Sequence, residues 1–172
     1  MTDNISETAK PRAFQTIVYG GLAIGLLDMF DALAFFGWYA GLGIQRVFQG
    51  VAAGLVGPDA ARAGGWNTWM LGLFLHFVTA FCVAAVYYFV SSKLRFMIDR
   101  PVISGIVFGV AVHFVMQCIV IPLSAIHQMP TFPLRSTLNG VIGHALLVGL
   151  PVALIASWSA RRSRKPPETR KA

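Results

Sequence analysis

Four apolar runs, each long enough to cross a bilayer, constrain this chain more than anything else in it. A spanning helix needs about 20 predominantly apolar residues, because each adds about 1.5 Å and the hydrocarbon core is about 30 Å thick. Residues 14–38, 68–90, 102–124 and 137–158 meet that length and are flanked by charged, proline or aromatic residues that suit an interface. Backbone exposed to lipid must satisfy its own hydrogen bonds, so runs of this kind fold as helices. The sequence therefore predicts an all-α membrane protein, a four-transmembrane-helix bundle over residues 14–158, preceded by a short segment (1–13) and followed by a basic tail (159–172). The first run carries Asp28 and Asp31 and exceeds the apolar length of a signal peptide, so it reads as a retained helix.

Composition agrees. With 56% hydrophobic and 12% charged residues over 172 positions, and a mean hydropathy of +0.65, the chain lies far from a soluble domain, where about a quarter of residues are charged. In a soluble protein a net charge of +7 would suggest nucleic acid, but here the basic residues sit at the ends of the runs and in the tail. Lys10, Arg12, Lys93, Arg95, Arg100, Arg161, Arg162, Arg164, Lys165, Arg170 and Lys171 fall on one side, leaving Arg46, Arg62 and Arg135 of the 14 for the other. Because cytoplasmic flanks carry the basic excess, both termini are expected in the cytoplasm, with the bilayer rather than nucleic acid as partner. Trp38, Tyr39, Trp66 and Trp69 mark the outer boundary.

The outer connection between the first two runs has a pattern of its own. Leu42, Val47, Phe48, Val51, Leu55 and Val56 recur at near-helical spacing, and Gln45, Arg46 and Gln49 fill other positions. Too short to span, residues 41–56 are expected to form an amphipathic surface or re-entrant helix stopped by Gly57-Pro58. Pro122, Pro130 and Pro133 surround His127 in a second outer link, where that histidine is expected to be solvated. Cys82 and Cys118 lie in apolar runs without metal or redox spacing and are expected to be packing residues. No nucleophile elbow, phosphate-binding glycine loop or His-Glu-x-x-His motif occurs, so an enzyme is the less favoured class.

Chemistry is instead suggested by ionisable groups within the runs, since an aspartate at a bilayer centre costs at least about 2.5 kcal/mol. Asp28 and Asp31 share a face of the first run with Gly21 and Gly25. Later runs repeat the arrangement: His76 with Gly72, Ala80 and Ala84; His113 with Gly105, Gly109 and Gln117; His144 with Ser136 and Gly140. Small residues let helices approach closely, so these stripes should face one another and carry the ionisable groups inward. Counted from the outer ends, Asp28, His76, His113 and His144 lie roughly 10 to 17 Å deep, with Asp31 slightly shallower.

Three chemistries suit Asp28, Asp31, His76, His113 and His144 together: proton transfer, a transition-metal site, or a haem. The plainer alternative is a set of polar clamps holding the helices, with Gln117, Asn139 and Thr79 as secondary members and the function residing in a homo-oligomer or a membrane-protein partner. The glycine pairs Gly21/Gly25 and Gly105/Gly109 are expected to pack within the monomer. An acidic first span, an outer surface helix, His113 followed by Pro122-Leu123, and Gly143-His144 in the last span resemble the YagU-like group of bacterial inner-membrane proteins, mainly over the second half of the chain. That resemblance implies a bacterial inner membrane and no particular reaction. The sequence thus suggests a binding, transport-accessory or stress-related protein, with a small haem or metal redox enzyme as a further alternative, and specifies no cofactor.

Overall fold

The computed structural model describes residues 10–163, so expectations for the first nine residues and for the tail beyond Ser163 lie outside it. Four long helices carry the fold: α1 (Gln15–Tyr39), α4 (Gly65–Lys93), α6 (Pro101–Leu123) and α7 (Leu134–Arg162). Between α1 and α4 stand α2 (Ile44–Val56) and the short α3 (Pro58–Ala63), and α5 (Phe96–Asp99) links α4 to α6. All four long helices have the length and apolarity of membrane spans, and no strand occurs among the described residues.

Local chemistry explains where these helices stop and widen. Gly41, Gly43 and Gly57 have φ of 70°, 77° and 85°, a left-handed conformation that glycine adopts without steric cost, and they bracket α2. Pro58 and Pro101 open α3 and α6, where the missing N–H is not needed. Inside a helix, however, proline removes a hydrogen bond and presses on the carbonyl four residues earlier. Widened π turns over Met116–Val120 and His144–Gly149 end just before Pro122 and Pro151 and accommodate that pressure. They place Gln117 and His144 where the helices are least regular.

Around the bundle the order is α4, α1, α7, α6, and close backbone approaches run along the first three interfaces. Between α1 and α4, Gly21 and Gly25 leave room for the rings of Phe81 and Phe77; between α6 and α7, Gly105 and Gly109 lie directly on the α7 backbone at Gly149 and His144. Both glycine pairs therefore pack within the monomer. The most apolar stretch of α7 is 44% buried, against 22% or less for the other spans, which makes it the central helix. Outward faces carry Phe30, Phe74, Val107 and Leu146. Cys82 and Cys118 also face outward: they are free, but the expectation that they pack in the core fails, because each lies off its helix's small-residue stripe.

The two ends of the bundle differ. At the end shared by Lys10 and Ser163, Tyr87, Val152, Ala84, Ala153, Ala156 and Ala160 are all fully buried. Polar bonds close this end. The Tyr87 hydroxyl donates to the Met97 carbonyl at 3.2 Å and lies 3.1 Å from Ser104 Oγ, and Ser157 Oγ donates to the Ile98 carbonyl at 2.9 Å. Arg12 N donates to Ser159 Oγ at 3.1 Å, so α1 begins where α7 ends. At the other end α2 forms a lid. Its Phe48, Gln49, Ala52 and Ala53 are buried, with the Phe48 carbonyl directly on Gly72 of α4. Gln49 Nε2 donates to the Gly65 carbonyl at 3.1 Å, and Ala125 N donates to the Gly54 carbonyl at 2.9 Å, so the lid is tied to both α4 and the segment after α6. The expected helix over 41–56 is thus present, starting three residues later because Gly41 and Gly43 occupy conformations outside the helical region.

Candidate functional site

Beneath the lid lies a cavity of about 340 Å³, lined by residues of all four spans and by Val51 of α2. Asp28, His76, Thr79, His113, Gln117 and His144 all border it, so six of the eight polar residues singled out by the sequence converge on one space. The rest of the lining is mostly apolar, including Ile24, Val83, Val112 and Val148.

Each histidine is positioned differently. His76 Nε2 donates to the Gly25 carbonyl at 2.8 Å, tying α4 to α1, and its ring stands edge-on to Phe48 and Phe77. His144 Nδ1 donates to the Gly140 carbonyl one turn back at 2.8 Å. His113 is 5% exposed and its ring rests on Gly140, where the first carbon of any side chain would collide with the imidazole. The His113 and His144 rings meet edge to face, 5.2 Å between centroids. His113 Nε2 has no hydrogen-bond partner, and an unpaired buried polar atom is a costly feature that asks for a reason.

Asp31 departs from the expected set. Three residues beyond Asp28, and so about 60° further round the helix, it turns to α7 instead of the cavity. Its Oδ2 accepts from Asn139 Nδ2 at 2.9 Å and lies where a side chain on Gly143 would begin. Asp31 and Asn139 therefore form a helix clamp beside the site. Gly140 and Gly143, which the sequence reading did not assign these roles, are what admit His113 and Asp31. Their signal was the spacing Asn139-Gly140-x-x-Gly143-His144, which puts a glycine next to each polar residue.

The arrangement bears on the cofactor alternatives. Among the described residues no three His, Cys, Asp or Glu side chains converge in a way that could hold a metal ion. Two imidazoles on opposite faces of a haem must be separated by the macrocycle, whereas the His113 and His144 rings are in contact. His127, exposed as expected and with φ of 51°, lies in the link between α6 and α7 and takes no part. A separate recess of about 620 Å³, bordered by Arg46 and Arg62, lies between α2 and α3 and shares no lining residue with the cavity.

Access is asymmetric. The backbones of α4 and α6 make no extended approach to each other, so the fourth interface of the ring is spanned by side chains rather than by close backbone packing. Thr79 on α4 is exposed and Gln117 on α6 is half-buried, both at the cavity edge. Toward the terminal end the same gap closes where the Tyr87 ring meets Phe108, 4.9 Å between centroids. Compared with protein-family models, curated proteins and solved structures, the chain matches none.

Proposed function

We propose that this chain is a multi-pass protein of a bacterial cytoplasmic membrane, with both termini inside, that binds a small molecule within the bilayer. The observation that carries the reading is the cavity: about 340 Å³ of mostly apolar space with polar groups from all four spans in its lining and a His113 whose Nε2 has no partner. Ligand sites are characteristically concave and apolar, with a few convergent polar groups that fix orientation. The basic flanks and the resemblance to the YagU-like group support the membrane and the orientation. Conduction across the membrane is less well supported, because a conducted substrate needs a route to both sides and the terminal half is packed shut around Tyr87 and Val152.

The test is saturable binding of an amphipathic probe. In nanodiscs of zwitterionic lipid, 1-decanol should raise the unfolding midpoint by a few degrees and saturate. Thr79→Trp, at an exposed position on the cavity edge, should remove that effect while leaving the fold intact. A linear, unsaturable response shared by both proteins would contradict the reading.

A second reading has its own support. The Asn139–Asp31 and His76–Gly25 bonds join helices, so the polar layer also acts as a clamp that keeps the spans in register. It leaves His113 Nε2 and Asp28 without a role.

A further inference from the structure

We propose that the cavity's ligand is a lipophilic amine, which enters from the hydrocarbon through the gap between α4 and α6. The proposal rests on the cavity being a binding site and adds the class of molecule and its route.

The polar groups at the cavity favour a donor over an acceptor. Asp28 brings a carboxyl group to the lining, and no Lys or Arg occurs between residues 13 and 38, 66 and 92, 101 and 123, or 136 and 160. Among the described residues the ion pairs, Arg62 with Asp59 and Arg95 with Asp99, lie outside these stretches and leave Asp28 uncompensated. The imidazoles spend one nitrogen each on the backbone: His144 uses Nδ1 to donate to Gly140, and His76 uses Nε2 to donate to Gly25, so in its uncharged form each ring has a lone pair on its other nitrogen. His113 borders the cavity too, its Nε2 buried and without a partner beside Gly140. A carboxyl group beside imidazoles, with no Lys or Arg in the surrounding spans and no salt-bridge partner of its own, is complementary to an amine bearing several N–H donors.

Shape sets the remainder of the ligand. The apolar wall of Ile24, Val83, Val112 and Val148 takes an alkyl or aromatic body. The α4–α6 gap faces the bilayer laterally, while the lid covers the outer end and the Tyr87–Phe108 contact closes the inner one. A molecule already dissolved in the membrane can therefore reach Asp28 without crossing either plug.

The experiment compares three probes sharing one ten-carbon chain, decylamine, 1-decanol and decanoate, titrated into the protein in zwitterionic nanodiscs at neutral pH and read by the unfolding midpoint. Decylamine is expected to bind at least tenfold more tightly than decanol, and decanoate more weakly than either. Asp28→Asn should lose at least tenfold for decylamine and at most about threefold for decanol, and Thr79→Trp should lose both. Equal binding of decylamine and decanol by the wild type would overturn the amine assignment while leaving the binding site in place. No saturable binding of any probe would overturn both. The wild-type series decides the ligand class even where Asp28→Asn does not fold.

Discussion

The lid half and the terminal half of this bundle are made from the same four helices and solve different problems. In the terminal half, alanine, glycine and serine let α1, α6 and α7 close on one another, and side chains such as Tyr87 and Val152 are wholly buried. In the lid half the stripes continue with Asp28, His76, His113 and His144, and a cavity roofed by α2 lies among the helices. Small residues alone give a seal, since van der Waals packing is what holds helices together in lipid. Where the same stripes carry ionisable residues, α6 and α7 stay close at Gly109 and His144 and His76 bonds across to Gly25, while α4 and α6 part around the polar groups.

The contrast breaks most readily in the sealed half. A side chain on Gly105 would meet the Gly149 carbonyl oxygen at 2.8 Å and Leu150 Cα at 2.9 Å, both backbone atoms that cannot turn aside. Gly105→Val should therefore destabilise the protein by roughly 3 kcal/mol or more and appear as aggregation on fluorescence-detected size exclusion. Next comes the clamp between α1 and α7 beside the site: Asn139→Leu leaves the Asp31 carboxyl group without its 2.9 Å donor and should cost about 1–3 kcal/mol, measured as a lower unfolding midpoint in detergent. Removing the seal's hydroxyl in Tyr87→Phe keeps the ring against Phe108 and should cost about 1 kcal/mol. At the small end, Val51→Ala on the cavity side of the lid should change stability by about 0.5 kcal/mol or less, because the side chain is 36% exposed and borders the cavity rather than packed neighbours. A Val51→Ala effect as large as that of Gly105→Val would erase the distinction between the two halves.

How much of this was legible beforehand follows from which residues carry period and which carry contact. The spans were visible because length and apolarity are local properties, and α2 was visible because Leu42 to Val56 keeps a helical period. Convergence of Asp28, His76, His113 and His144 was also readable, since depth and face follow from counting along a helix. What counting could not supply was the order of the helices around the ring. That order opens the α4–α6 interface and turns Asp31 away from Asp28 toward Asn139. Nor could it show that Gly140 and Gly143 serve as seats for His113 and Asp31, because a glycine's partner lies on another helix. Cys82 and Cys118 were misplaced for a related reason: a small apolar residue in a span suits the core and the lipid face equally well.

The most direct test of the open and sealed halves is thiol accessibility. In a background of Cys82→Ala and Cys118→Ala, Gln117→Cys at the cavity edge and Ala156→Cys in the terminal half would each be reacted with N-ethylmaleimide in mild detergent. The structure predicts that the thiol at 117 reacts in the folded protein and that the thiol at 156 reacts only after denaturation. Equal reactivity at the two positions, or a thiol at 117 as inert as the one at 156, would contradict the account.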